Sequence, residues 1–174
     1  MKKNRIIAFA LLLAILFTLI PAHTEAATVP AKVTRALNKA VDENGRAIIV
    51  DQTGERIYLF KRDCKTKEWK LKRTGRCIVS QKLSKAKHYM LLRNDDVDTL
   101  LWGTARDRWS CGMVIDCYEK PAYIVLHSYR EHYTGRTWVK DKSRNGNDFG
   151  ISVCEELAEY IWKYYTDGTA VMGV

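Results

Sequence analysis

Hydrophobic residues recur at two different spacings along this chain, and each spacing predicts a different element. Short apolar runs, several of them alternating with polar residues, predict β-strands. Two segments repeat apolar residues every three or four positions, which is typical of amphipathic helices. The strand candidates are residues 47–51, 56–60, 69–73, 77–79, 90–92, 100–102, 123–126 and 170–172.

The two helical patterns lie near the ends of the chain. The first covers residues 30–41 and stops at Asn44-Gly45. The second begins at Ser152-Val153-Cys154-Glu155, which fits a capping box, and therefore predicts Ser152 as the N-cap with Cys154 in the first turn. Its apolar face consists of Leu157, Ala158, Ile161, Trp162 and Tyr165. The predicted fold class is thus mainly β, with one C-terminal α-helix and a short N-terminal helix.

Residues 128–147 are polar and lack periodicity, so they predict a long loop, and long loops in compact domains are often functional. The chain has no internal repeat and no low-complexity tract. The hydrophobic pattern therefore supports a single β-rich domain.

The N-terminus has the three parts of a secretion signal. Lys2, Lys3 and Arg5 precede a charge-free apolar run at residues 6–20, and Thr24-Glu25-Ala26 supplies small residues for cleavage after Ala26. The run is short for a membrane span. We expect residues 1–26 to be a signal peptide, residues 27–45 a helical lead-in and residues 46–174 the folded domain. An uncleaved anchor is the alternative, but either way the domain lies outside the cytoplasmic membrane.

The chain is basic. Its formal net charge of +9 falls to +7 once Lys2, Lys3, Arg5 and Glu25 are removed with the signal. A basic exported protein is attracted to anionic cell-wall polymers or phospholipid headgroups. The Lys and Arg residues are scattered and form no stripe interleaved with aromatic residues, so nucleic acid is not an expected partner.

The chain has five cysteines, an odd number. Cys64 with Cys77, and Cys111 with Cys117, are disulfide candidates, although four cysteines allow three connectivities. Cys154 is then left over as a reactive thiol, half of an intermolecular bridge, or a small buried side chain. The alternative is that all five are unpaired thiols. No pair or cluster has zinc-ligand spacing, so we expect neither a metal nor another cofactor.

The segment around His127 carries the most specific signal. Residues 123–129, which end in His127, Ser128 and Tyr129, resemble the L,D-transpeptidase strand that holds the family's His-Ser motif. Residues 158–162 and 168–171 match the family's downstream helix and the Gly-Thr that follows it. The resemblance covers residues 46–174. It implies a β-sandwich or mixed-sheet domain that cross-links or remodels peptidoglycan stem peptides through a cysteine thioester.

The family's Ser-x-Gly-Cys-x-Arg motif is not present. Aligned without a gap from Ala158, the nucleophilic cysteine falls on Gly150 and the arginine on Ser152, while residues 84–87 lack the upstream Pro and Gly. Cys154 lies four residues beyond Gly150, about one helical turn, at a helix start that favours thiolate. The resemblance thus implies Cys154 as a candidate nucleophile, His127 as base beside Ser128, and Tyr129, Gly150 and Ser152 at the substrate.

Three hypotheses follow from these residues. The favoured one is a catalytically inactive domain of this fold that binds peptidoglycan, an anionic wall polymer or a partner protein. The second is an active transpeptidase that uses Cys154 and His127. The third is an unrelated exported β-rich binding domain.

Overall fold

The computed structural model describes residues 28–85, 87–92, 101–103, 107–117, 124–142, 150–165 and 167–174. Residues 31–174 form one compact unit. The predicted signal peptide lies outside the described residues. No helix within the described ranges is long and apolar enough to cross a membrane.

Two helices and twelve strands occur in these ranges. The helices are α1 (Ala31–Leu37) and α2 (Glu155–Tyr164). The first six strands are β1 (Arg46–Asp51), β2 (Arg56–Arg62), β3 (Trp69–Val79), β4 (Tyr89–Leu92), β5 (Leu101–Gly103) and β6 (Asp107–Ser110). The remaining six are β7 (Met113–Cys117), β8 (Ile124–Ser128), β9 (Arg130–Tyr133), β10 (Trp138–Asp141), β11 (Ile151–Val153) and β12 (Thr169–Gly173). The predicted mainly-β class, with one helix near each end, is confirmed.

Eight strands close into a barrel in the order β1-β12-β4-β7-β8-β11-β3-β2. The pairs β1–β12 and β8–β11 are parallel, and the other neighbours are antiparallel. A second sheet has the order β10-β9-β6-β5. Since β9 follows β8 after one residue, the second sheet starts where the barrel strand carrying His127 ends.

The core lies inside the barrel and continues onto α2. Leu157, Ala158 and Ile161 of α2 belong to the same buried cluster as Leu126 and Ile151 of the barrel. The sequence spacing of the α2 residues places them on one helix face, and burial of that face holds the short helix against the sheet. Helix α1 contacts β1 and β12 and buries Val33, Ala36 and Leu37.

The polar segment after Ser128 is not the predicted long loop. Residues 130–133 and 138–141 pair as an antiparallel hairpin, with Trp138 opposite Tyr133 and Asp141 opposite Arg130. Its ends are joined by an Arg130–Asp141 ion pair of 3.0 Å and a tilted stack of Tyr133 on Trp138 at 5.3 Å. Cross-strand pairs of this kind stabilise strands that have no apolar alternation of their own.

The predicted capping box is also wrong. Ser152 lies in β11, opposite His127 on one side and Ile78 on the other, and the N-cap of α2 is Cys154. Cys154 has φ −63° and ψ 155° and makes no side-chain capping hydrogen bond. The two flanking strands fix the backbone of Ser152 in an extended conformation, which overrides the local capping preference.

The buried hydroxyl of Ser152 gives a test of this correction. Ser152 is 0% exposed, and its Oγ has no hydrogen-bond partner among the described residues. Because an unsatisfied buried hydroxyl costs about 1–3 kcal/mol, Ser152→Ala should leave the free energy of unfolding unchanged or raise it by about 1 kcal/mol. Chemical denaturation measures the difference. A loss of about 1 kcal/mol would instead indicate a capping role.

Candidate functional site

Three adjacent barrel strands, β3, β11 and β8, hold the residues that the sequence singled out. Alternate residues of these strands, such as Val153 and Leu126, face the core. The residues between them point to the opposite face, where the register aligns Ile78, Ser152 and His127 in one row. The next row contains Cys154 and Tyr129, whose N–H donates to the carbonyl of Val153 over 2.9 Å.

His127 is completely buried in this arrangement. Its exposed fraction is 0%, and Nδ1 lies 2.6 Å from the carbonyl oxygen of Ser128. The acceptor is a carbonyl, so Nδ1 carries the proton and donates. Trp109 of β6 packs edge-on against the imidazole, with the ring centroids 6.3 Å apart. The second sheet thus covers the histidine that the resemblance implies as a base.

Ser128 connects the two sheets. Its Oγ accepts a hydrogen bond of 2.8 Å from the Ser110 N–H and donates one of 3.2 Å to the Tyr129 carbonyl. Both bonds are internal to the protein, and Ser128 is only 5% exposed. These bonds give Ser128 a structural role.

Gly150 occupies a place where no side chain fits. Its φ is +69°, and a Cβ atom at this position would lie 2.2 Å from the Val125 carbonyl oxygen and 2.6 Å from the Val125 nitrogen. The Gly150 carbonyl accepts hydrogen bonds from the Ser80 and Gln81 amides, at 2.8 and 3.0 Å. Gly150 is therefore held close against the β8 backbone.

Cys154 opens onto a cavity of about 370 Å³. Tyr129 lines the same cavity, so the structure brings these two predicted residues together. His127, Ser128, Gly150 and Ser152 are not among its lining residues. The others that line it are Glu55, Arg76, Cys77, Ile78 and Lys142.

The electrostatics of this cavity favour the protonated thiol. Burial raises the pKa of Cys154, and the Glu156 carboxylate, which accepts a hydrogen bond from the thiol, raises it further. The Leu157 amide at the helix start lowers the pKa, but the net shift is upward. The predicted thiolate-favouring helix start is thus outweighed by burial and by the neighbouring acid. Burial also raises the pKa of Tyr129, with smaller contributions from Cys154 and Cys77.

Sequence reasoning missed Glu55 and Arg76. No local signal marks them, because Arg76 reaches the cavity only through the pairing of β3 with β11. Glu55 follows the β1–β2 turn, and its carbonyl accepts the Cys77 N–H over 2.9 Å. Among the described lining residues, Arg76 and Lys142 are two cations against one carboxylate, a lining suited to binding an anionic group.

All five cysteines are free thiols in the structure. Cys77 lies beside the first residue of β2, because its neighbour Arg76 pairs with Arg56. Cys64 lies just after the last residue of β2, Arg62. Seven strand residues separate the two ends by about 20 Å, far outside the Cα separation that a disulfide allows. Cys111 and Cys117 lie before and at the end of β7, and both are buried in the core.

No group of three or more His, Cys, Asp or Glu residues with metal-binding geometry occurs in the described part of the chain. The described residues that line the cavity beside Cys154 include two thiols and one carboxylate but no histidine. Its chemistry is that of a polar cavity whose Cys154 thiol is held in the protonated form.

Comparisons with known proteins show that this chain is similar in fold to solved structures. No family model matches the chain, and no curated protein matches it. A solved Clostridium acetobutylicum protein, described as a fused Zn-dependent amidase/peptidase/peptidoglycan-binding domain-containing protein, is 17% identical. It aligns over 81% of this chain and 59% of its own, with a TM-score of 0.55.

Two further solved structures have lower scores. The L,D-transpeptidase LdtMt1 in complex with imipenem is 9% identical over 75% of this chain and 59% of its own, with a TM-score of 0.45. The helical cell shape determining protein Pgp2 from Campylobacter jejuni is 12% identical over 83% and 56%, with a TM-score of 0.47. The chain spans less than two thirds of the length of each of these proteins, and it shares its fold with the Clostridium acetobutylicum protein.

Proposed function

We propose that this protein is an exported, non-catalytic domain of L,D-transpeptidase-like fold that binds peptidoglycan or an anionic cell-wall polymer. The observation that carries the proposal is Gly150. At the position that the resemblance implies for the nucleophile, the chain has a residue that cannot attack a carbonyl, in a place where even a methyl group would overlap the Val125 backbone.

The cell-wall assignment has two supports. The segment around His127 and the residues from Ala158 onward resemble the L,D-transpeptidase domain. The fold is shared with a Clostridium acetobutylicum protein whose description includes a peptidoglycan-binding domain. The net positive charge adds a general attraction to anionic wall polymers.

The chemistry argues against Cys154 as a replacement nucleophile. Acyl transfer from a peptide needs a thiolate and a base within hydrogen-bond reach of it. No histidine is among the described residues that line the cavity, the pKa of the Cys154 thiol is raised, and His127 is buried on the neighbouring row. Binding at the barrel surface requires none of these groups.

The proposal is tested by separating binding from acylation. The folded protein is incubated with purified wall sacculi and, separately, with a carbapenem-type acylating probe, and adducts are mapped by mass spectrometry. We expect retention on sacculi, no adduct on Cys154, and equal retention of the Cys154→Ser variant.

An active enzyme would give the opposite pattern. An adduct on Cys154 that disappears in Cys154→Ser and forms more slowly in His127→Ala would establish the cysteine transpeptidase instead. If circular dichroism shows that the protein is folded but it is not retained on sacculi, the wall-binding assignment is overturned.

A further inference from the structure

The far end of the β2–β3 hairpin forms a groove of about 310 Å³ with a strongly positive lining. Five cations line it, namely Lys61, Arg62, Lys65, Lys70 and Lys72, against the single acid Asp63. We call this surface the basic groove. It lies at the opposite end of β2 from Cys77 and the cavity that contains Cys154.

Two of the five cations are paired internally. Lys70 Nζ lies 2.6 Å from Asp63, and Arg62 lies 2.6 Å from Asp42 with its guanidinium 4.4 Å over the Trp69 ring. Lys61, Lys65 and Lys72 are exposed and form no ion pair with any described residue. Three positive charges in the groove therefore face solvent uncompensated.

The backbone register makes this clustering unfavourable for the hairpin alone. Lys61 lies directly opposite Lys70 on the neighbouring antiparallel strand. Like charges at directly opposed positions destabilise a strand pair. Asp63 already offsets the charge of Lys70, and an anion bound in the groove would in addition offset the charges of Lys61, Lys65 and Lys72.

We propose that the basic groove binds a linear polyanion that carries phosphate groups along its chain. This inference rests on the proposed wall function and names the polymer chemistry for it. Lysine ammonium groups bind phosphate as point charges. The uncompensated lysines are spread over two strands and the turn between them, in an open groove. That arrangement can contact successive phosphates of a chain. A site for a single ion would instead be enclosed, with its contacts converging on one point.

Short linear inorganic polyphosphate is the probe, with binding followed by calorimetry at several salt concentrations. Replacing Lys61 and Lys72 by Gln should weaken binding by about tenfold or more and reduce its salt dependence. The matched control replaces the exposed Lys82 and Lys163 by Gln, which removes the same charge away from the groove. It should change affinity by less than about threefold.

Equal weakening by both double variants would overturn the proposal, because binding would then depend only on net charge. Orthophosphate that binds as tightly as polyphosphate would also overturn it. Both variants are checked for unchanged circular dichroism before binding is measured, and their exposed positions make unfolding an unexpected result.

Cys64 supplies an independent reporter inside the groove. It lines the groove and is exposed, whereas Cys77, Cys111 and Cys117 are buried. Polyphosphate should slow alkylation of Cys64 by uncharged iodoacetamide in the unmodified protein but not in the Lys61/Lys72 variant. Unchanged alkylation of Cys64 at saturating polyphosphate would place the polymer elsewhere and contradict the assignment.

Walls with and without phosphate polymer separate this inference from the proposed function. If the protein is retained on untreated walls and less so on walls stripped of phosphate polymer, the result supports polymer binding in the basic groove. Equal retention on stripped walls overturns the groove but leaves wall binding intact. Polyphosphate binding through Lys61 and Lys72 without retention on any wall preparation supports the groove and overturns the wall function.

Discussion

Replacing Gly150 by Cys, at the position that the resemblance implies for the nucleophile, is expected to destabilise the domain by about 3–5 kcal/mol and to give no transpeptidase activity. A φ of +69° costs a residue with a Cβ about 1–2 kcal/mol. The overlap adds to this cost, since the Cβ would lie 2.2 Å from the Val125 carbonyl oxygen. That atom is backbone in a central barrel strand, so it cannot move without disturbing the pairing of β8 with β7.

Gly135 provides the matched control. Its φ is +90°, but nothing lies within 4 Å of the position that a Cβ would take. Gly135→Ala should therefore show the backbone cost alone, about 1–2 kcal/mol, whereas Gly150→Ala should show the backbone cost and the overlap. Urea denaturation of the two alanine variants measures the difference. Equal losses of unfolding free energy in the two variants would show that overlap with the Val125 backbone adds nothing to the cost at residue 150.

The result bears directly on function. If Gly150→Cys folds poorly, the close packing of residue 150 against β8 excludes a cysteine nucleophile at this position. Acylation of a well-folded Gly150→Cys variant by a carbapenem-type probe would instead show that the rest of the catalytic apparatus is intact.

The second large effect is expected at Asp51. Asp51→Ala should lower the free energy of unfolding by about 2–4 kcal/mol. Asp51 is 5% exposed, and its carboxylate accepts hydrogen bonds from Lys32 Nζ at 2.5 Å, the Gly54 amide at 2.9 Å and the Thr53 hydroxyl at 3.0 Å. Removing it leaves these donors without their acceptor and detaches α1 from the β1–β2 turn.

Asp51 also sets a pH dependence. Burial alone would raise the pKa of Asp51, but the Lys32 ammonium together with the Gly54 and Thr53 donors lowers it below its usual 3.8. A carboxyl whose pKa is depressed by folding contributes stability above its unfolded pKa and loses it as the pH falls through the folded pKa. The stability difference between the native protein and Asp51→Ala should therefore be constant near neutral pH and shrink below about pH 4.

Asp63 is the matched control for Asp51. It accepts hydrogen bonds from two turn amides, those of Lys65 and Thr66, and pairs with Lys70, but on the exposed surface of the hairpin. The same contacts in water are screened, so Asp63→Ala should cost clearly less than Asp51→Ala. Equal losses of stability for Asp51→Ala and Asp63→Ala in thermal denaturation would show that burial does not increase the contribution of Asp51.

The candidate site and the basic groove occupy opposite ends of one hairpin. Near Cys77, β3 contributes Arg76 to the cavity that contains Cys154. At the other end, β2 and β3 present Lys61, Lys70 and Lys72 to solvent. The cavity that contains Cys154 and the basic groove are therefore two separate polar surfaces on one hairpin.

The strands and helices with their own apolar pattern are predictable from the sequence. Strands β1, β2, β4 and β12 and both helices lie where apolar spacing places them, because each buries an apolar face. Strands β9 and β10 have no such pattern and form through cross-strand pairs with each other. No local signal predicts such a hairpin, since the partner residues lie several positions apart in a polar segment.

The sequence by itself determined the mainly-β class, the C-terminal helix and the absence of a cysteine at residue 150. Only the tertiary structure decided what Ser152, Cys154 and His127 do. Ser152 could cap a helix or extend a strand, and pairing with both β8 and β3 made it a strand residue. Burial and Glu156 raised the pKa of Cys154, and Trp109 from the second sheet covered His127. Long-range pairing and burial decide these roles because their free energies exceed the local preferences that a sequence pattern reveals.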